Sequence, residues 1–162
     1  MAAGPRTLAE QVGSIVDLLP LIVKNLRIGR LLENVRPGLG ISQVLVLHAL
    51  ERAPEEGASM GDLADEVGVT VPTTTGLVGR LAREGLVERR AHPSDRRVVL
   101  VALTPDGRAV ARRAAAYLAE MMGKLLGDLE AGEREGLAHA FESVFELSVR
   151  LQKEQRRMAA LV

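Results

Sequence analysis

The sequence predicts a mainly α-helical fold interrupted by one small β-hairpin. Apolar residues recur at helical spacing along most of the chain, from Leu8 to Leu151. Strand-like runs with β-branched residues gather only between Leu86 and Leu103. A short helical pattern, a glycine and a second helical pattern stand directly before those runs. The chain has 162 residues, enough for one domain or one domain with long helical extensions. Aromatic residues make up 2% against 47% hydrophobic, so Leu, Val, Ala and Ile must pack the core.

Taken in order, residues 1–7 are expected to be disordered. Leu8, Val12, Ile15, Val16 and Leu19 share a helical spacing, as do Ile22, Val23, Leu26 and Leu31 beyond Pro20. Proline breaks or kinks a helix interior, so the first helix either starts near Leu18 or bends at Pro20. Arg36-Pro37-Gly38-Leu39-Gly40 ends it. Ser42 is placed to cap a helix over 43–52, with Val44, Leu45, Leu47 and Leu50 toward the core. His48 on this apolar helix reads as a satisfied core histidine. Residues 53–58, with proline and glycine, read as a loop.

Ser59 then caps a short helix carrying Leu63, Ala64 and Val67. Gly68 permits the left-handed backbone that commonly ends a helix. Thr70 caps the next helix, and Pro72 falls in its first turn, where a missing N–H costs nothing. Leu77, Val78 and Leu81 form its buried stripe, and Gly85 can stop it. Two short helices joined by a tight glycine turn make a helix-turn-helix. Residues 86–90 and 98–103 are strand-like, and the polar segment between them, Ala91-His92-Pro93-Ser94-Asp95-Arg96-Arg97, is a loop. A basic hairpin directly after a helix-turn-helix describes a winged helix. Thr104 caps a further helix with Pro105 first and Asp106 near its positive end. It runs to about Leu126 through Val110, Ala114, Tyr117, Leu118, Met121, Met122 and Leu125. After a Gly127-Asp128 turn, the last helix spans about 130–158, with Leu137, Ala140, Phe141, Val144, Phe145, Ser148 and Leu151 along one face. A small winged helix has little room for so much apolar helix surface; a second copy of the chain would cover it through a symmetric contact, the alternative being that these helices fold back on the winged helix of the same chain.

Asp95-Arg96-Arg97, then Leu100 to Thr104, and Pro105-Asp106-Gly107-Arg108 resemble the wing signature of MarR-type transcriptional regulators. The order of elements follows that family from about residue 18 to residue 151. The resemblance implies a winged helix-turn-helix plus N- and C-terminal dimerisation helices. Residues 41–104 would be the DNA-binding domain, and 1–36 with 105–162 the helical dimerisation region, in a single compact fold. It further implies a homodimeric regulator, usually a repressor, released from a pseudo-palindromic operator by a small molecule. Base contacts would come from the first turns of the recognition helix, at Val71, Pro72, Thr73, Thr74, Thr75 and Gly76. Arg80 and Arg83 lie further along, where phosphates are reached. In the wing, Arg97 would enter the minor groove and Asp95 would hold the loop by pairing with a nearby arginine. Arg89, Arg90 and Arg96 would serve the DNA backbone. Two positions depart from the family. Gly76 stands where many relatives carry a longer polar or basic residue, which shifts weight to shape readout. Val44 stands near where many carry an aromatic. In the family the ligand lies between the dimer helices and the DNA-binding lobe. That pocket would here be lined by the first helix, Val44 to Leu47 and the helix after the wing.

A formal net charge of zero by itself argues against a nucleic-acid partner, but the charge is unevenly spread. From Glu51 to Glu66 there are six carboxylates and one arginine; from Arg80 to Arg97 there are six arginines, three carboxylates and His92. A local basic footprint suffices for phosphate contact. The chain has no cysteine, so disulfide and thiol chemistry are excluded. His48, His92 and His139 share no metal-ligand spacing, and no nucleophile motif or phosphate loop occurs. The chain is therefore not expected to be an enzyme or to hold a cofactor. The longest apolar run, Ile15 to Val23, is broken by Asp17 and Pro20, and no secretory pattern precedes it, so a cytoplasmic location is expected. Two other classes fit the same elements. One is a winged helix used for protein contacts without DNA, which the basic wing argues against. The other is a DNA-binding regulator that answers to no ligand.

Overall fold

The computed structural model describes residues 6–95 and 97–159, without the side chains of 28–31, 155–157 and 159. The described elements run α1 (Leu8–Asn25), α2 (Ile28–Val35), α3 (Ile41–Arg52), β1 (Ala58–Ser59), α4 (Met60–Val67), α5 (Val71–Arg83), β2 (Val87–Ala91), β3 (Val99–Leu103), α6 (Pro105–Gly127) and α7 (Ala131–Ala159). The mainly helical class with one small sheet is thus as expected. Two compact units divide the chain, one ending at Tyr117 and one beginning at Leu118, inside α6.

The N-terminal segment differs from expectation in two ways. Thr7 is ordered as the cap of α1: its hydroxyl accepts the Glu10 N–H, and the Glu10 carboxylate accepts the Thr7 N–H at 2.7 Å. That backbone bond, with the Thr7 hydroxyl, holds the Glu10 carboxyl below its ordinary range. Residues 1–5 lie outside the described part. Pro20 sits inside α1 without ending it. Its ring removes one ladder bond, yet the turns on both sides persist, and the break comes instead at Leu26–Arg27. There Arg27 takes a left-handed φ of 48° and its N–H bonds Lys24 O at 3.1 Å, which tightens the last turn. None of the residues of α1 is buried. Of the second spacing, Leu31 lies outside the described side chains.

α3 begins earlier than a Ser42 cap would allow. Gly40 is its cap residue, and its N–H donates to Gln43 Oε1 at 3.0 Å. The buried face is Gln43, Val46, Leu47, Ala49 and Leu50. Leu45 is 47% exposed and Val46 takes the core position expected of it, because two residues one apart on a helix face different ways. His48 is exposed and is no core histidine.

The helix-turn-helix forms as its capping residues dictate. Ser59 and Asp62 bond reciprocally at the start of α4, Gly68 ends it at φ 73°, and the Thr70 hydroxyl accepts the Thr73 N–H at the start of α5. Leu63 and Ala64 on α4, and Leu77, Val78 and Leu81 on α5, join Val46, Leu47 and Leu50 in the core. The sheet holds three strands in the order β1-β3-β2, both pairings antiparallel. β1, two residues read as loop from the sequence, pairs Ala58 with Val101 and Ser59 with Leu100. β3 is therefore the central strand, with Leu100 to Leu103 buried, while only Val87 of β2 is. Ala91, expected in the loop, closes β2 opposite Val99.

A junction at the base of the hairpin fixes α6. Thr104 donates its hydroxyl to Gly85 O at 2.7 Å, accepts the Gly107 N–H at 3.0 Å, and bonds Leu86 O through its own N–H at 3.1 Å. Gly107 lies so close to the residue that precedes β2 that a Cβ there would overlap the Leu86 carbonyl. Further along α6, Val110, Ala111 and Ala114 are buried, and Arg112 pairs with Glu51 of α3 at 3.2 Å. Gly107→Ala is expected to destabilise the protein by about 1–3 kcal/mol, because backbone must move. Gly123→Ala, on the same helix with nothing within 4 Å, is expected to gain up to about 1 kcal/mol. Thermal denaturation of both variants checks the pair, and equal midpoints would contradict the close approach.

Candidate nucleic-acid interface

The first two turns of α5 project from the cap at Thr70. Val71, Pro72, Thr73, Thr75 and Gly76 are all exposed. Thr74 departs from the expected set: it is fully buried, and its hydroxyl donates to Thr70 O at 3.2 Å. A buried hydroxyl must be bonded, and this one is satisfied within its own helix. Thr74 is therefore a core residue and cannot reach a base. Neighbouring threonines keep one side free. The Thr73 hydroxyl lies 2.9 Å from that of Thr70, and the Thr75 hydroxyl donates to Val71 O at 2.9 Å. Both side chains stay exposed around these bonds, and the Thr75 oxygen keeps lone pairs with which to accept. A side chain at Gly76 would meet open space, so its absence is a property of the surface and no demand of packing.

The six arginines between 80 and 97 fall into distinct situations. Arg80, Arg89 and Arg97 are exposed, and their guanidinium groups bond no partner among the described residues. Arg83 reaches back to Gly79 O at 3.4 Å. Arg90 is committed: its guanidinium bonds the Glu88 carboxylate at 2.6 and 2.8 Å and Glu55 O at 2.9 Å, tying β2 to the loop before β1. Arg96 lies outside the described residues. Asp95 does hold the wing, though by another bond than expected. Its Oδ1 accepts the Arg97 backbone N–H at 2.9 Å, which leaves the Arg97 guanidinium out of that pairing. Val98 N–H donates to Asp95 O at 3.0 Å and His92 N–H to Val98 O at 3.1 Å, which closes the turn. Among the described residues the hairpin thus presents two cations without a partner, Arg89 on β2 and Arg97 in the turn, as backbone and groove contacts to DNA require.

Sequence reasoning missed one anchor of this surface. Arg36, between α2 and α3, donates to Glu84 O at 3.1 Å and stands 3.5 Å from the Glu84 carboxylate, which fastens the C-terminal end of α5. No sequence spacing links residues 48 apart. A cavity of about 400 Å³ opens between the end of α3, the following loop and α4, bordered by Arg52, Pro54, Leu63 and Glu66. Val44 to Leu47, expected to line a ligand pocket, do not border it. Among the described residues no three His, Cys, Asp or Glu converge for a metal. No described helix is long and apolar enough to cross a membrane.

Comparison with known proteins follows the same lines. A sequence profile described as MarR family matches residues 38–98. An HTH-type transcriptional regulator of Mycobacterium bovis is 32% identical over 75% of this chain and 85% of its own length. The HTH-type transcriptional repressor YetL of Bacillus subtilis is 34% identical over 60% of this chain, a match spanning only 59% of that repressor. Among solved structures, BpsR of Bordetella bronchiseptica is 28% identical with a TM-score of 0.63, covering 87% of this chain and 97% of that one.

The division of the threonines is testable by stability alone. Thr74→Ala is expected to cost about 1–2 kcal/mol, through a lost buried hydrogen bond and methyl group. Thr75→Ala is expected to stay within about 0.5 kcal/mol of the parent. Urea denaturation of the two variants measures both, and a neutral Thr74→Ala would put that side chain back on the surface.

Proposed function

The chain belongs to the MarR family, and from that membership we propose that it is a transcriptional regulator that binds double-stranded DNA. It acts as a homodimeric repressor whose hold on a pseudo-palindromic operator is relieved by a small molecule. The observation that carries this reading is the pairing of an exposed α5 N-terminus with a hairpin whose Arg97 is bonded at its backbone N–H and has no guanidinium partner among the described residues. The recognition helix enters the major groove through Val71, Pro72, Thr73, Thr75 and Gly76. Threonine methyls, Val71 and Pro72 suit thymine methyl groups, and the missing side chain at Gly76 shifts discrimination toward DNA shape. Arg97 enters the minor groove, and Arg80, Arg83 and Arg89 contact phosphates. Arg90 serves the wing's own architecture instead.

Residues 41–104 form the DNA-binding part, and the helices of 1–36 and 105–162 the dimerising part. What supports a dimer is exposed apolar surface. α1 leaves Leu8, Ile15, Val16 and Leu19 more than half exposed, and α7 does the same with Phe141, Val144, Phe145 and Leu151. Solvated monomers rarely leave so many large apolar side chains in water along one helix. Ligand release is supported by BpsR, whose DNA binding is regulated by 6-hydroxynicotinic acid. As a DNA-binding regulator the chain acts by recognition and not as an enzyme, in the cytoplasm where its DNA is.

Arg97→Ala is expected to weaken binding to every DNA tested, most where an A·T-rich minor groove flanks the half-site. It should also lower the slope of log affinity against log salt by about 0.9 for each lost phosphate neutralisation. Thr75→Ala should instead relax discrimination at one base position, at the low end of about 1–3 kcal/mol. Fluorescence anisotropy at several salt concentrations, on matched and mutated operators, separates the two. Unchanged affinity and slope in a folded Arg97→Ala protein would mean that the wing does not touch DNA.

A further inference from the structure

Side chains from two distant parts of the sequence hold the end of α5. At its last turn Leu81 O accepts the Leu86 N–H at 2.9 Å and Ala82 O accepts the Gly85 N–H at 3.0 Å. The carbonyls of Glu84 and Gly85, just past the helix, lie beyond its ladder and need other partners. Thr104 donates to Gly85 O at 2.7 Å from the base of the wing. Arg36 donates to Glu84 O at 3.1 Å, and its Nε lies 3.5 Å from the Glu84 carboxylate. A cation suits this end of a helix, where open carbonyls gather negative charge. The backbone of Arg36 is itself fixed. Its N–H bonds Leu32 O at 3.0 Å as α2 ends, and its carbonyl accepts the Leu39 N–H at 3.2 Å. Leu32, Val35 and Leu39 around it are buried.

We propose that Arg36 is a positioning residue for DNA reading, which ties α2 to α5 and sets the direction of that helix; this rests on the reading of α5 as the recognition helix. Glu84 and the exposed turn from Val71 to Gly76 stand at opposite ends of α5. The helix has 13 residues and so spans roughly 20 Å. A tilt of about 5° at Glu84 carries the exposed turn through roughly 2 Å, enough to break a base contact. Arg36 itself touches no DNA in this arrangement, because it sits at the end remote from that turn. α2 follows α1 across the turn at Leu26–Arg27, and α1 is the helix whose large apolar side chains stand in water. A position imposed on α1 by a second copy of the chain thus passes along α2 to Arg36, and from Arg36 to α5. The carbonyl bond carries more of this tie than the ion pair, which is partly screened with 32% and 33% of the two side chains exposed.

Two measurements on the full chain test the proposal. The first is the affinity for a duplex from the DNA upstream of its own gene, at several salt concentrations. Arg36→Met should bind about three- to tenfold more weakly, as expected for its lost hydrogen bonds, and Arg36→Lys, which keeps a donor and the charge, should fall between it and the parent. Glu84→Gln should lose less than Arg36→Met, because the Glu84 carbonyl remains, and adding it to Arg36→Met should change nothing further. The slope against salt should stay that of the parent; a slope lower by about 0.9 would make Arg36 a phosphate contact and overturn the proposal. The second measurement needs no DNA. The chain has no cysteine, so spin labels at Glu33→Cys on α2 and Thr75→Cys on α5 are unique. In protein diluted with unlabelled chain, Arg36→Met should shift or broaden the distance between them by about 2 Å or more, and Arg36→Lys by less. A folded Arg36→Met protein with the parent's affinity, or with its distance distribution, would overturn the proposal, and a loss of thermal stability alone would leave Arg36 a structural residue only. If the parent chain binds no such DNA, the reading of α5 fails, while the label distance still decides whether Arg36 directs that helix.

Discussion

Thr104, through its side chain and its backbone, joins three elements that must keep fixed relations if this surface is to work. Its hydroxyl ties the end of α5 at Gly85 to the start of α6 at Gly107, and its N–H takes Leu86 O at the start of the hairpin. Each of these bonds satisfies a group that a helix end or strand end leaves open. The base of the wing is thus fastened to the recognition helix, and α6 leaves from the same point. Gly107 is the steric counterpart of that bond set, since only a residue without Cβ lets α6 approach the Leu86 carbonyl. Arg36 fastens the same end of α5 from the other side through Glu84. The exposed turn at the far end of α5 is thus carried on a helix anchored at its base.

Much of this was legible because it depends on local chemistry. Ser59, Gly68, Thr70, Pro72 and Gly85 are short-range signals, and the helix-turn-helix formed where they placed it. Thr104 and Pro105 fixed the start of α6 in the same way. What failed depended on partners distant in sequence or on a small rotation. β1 exists because the free edge of β3 accepts two residues, and Gly57 fits beneath Val101 only for want of a side chain. Leu45 and Val46 exchanged roles, and Thr74 turned inward from an otherwise exposed turn, because the stripe of a short helix is uncertain by one residue. Pro20 carried too much weight as a breaker. The helix kept its course and parted where Arg27 adopts a left-handed backbone.

The candidate site was legible in its residue types and less so in their roles. Six arginines between 80 and 97 read alike in the sequence, yet Arg90 is spent on Glu88 and Glu55 while Arg89 beside it is free among the described residues. Cross-strand alternation explains the difference, because neighbours on a strand face opposite sides. Asp95 had the expected purpose and a different partner, and His92, a loop residue with no motif of its own, proved to cap the turn. A chain of zero net charge can still offer a polyanion a local cationic face when its carboxylates lie in a separate segment.

The central claim is that α5 and the wing read DNA together, twice, across a dimer. Hydroxyl-radical footprinting of the full chain on the DNA upstream of its own gene tests this most directly. The account predicts a dyad of two major-groove contacts about one helical turn apart, roughly 34 Å, each flanked by minor-groove protection from a wing. Protection of one half-site without a dyad, or none of the flanking minor groove, would contradict it.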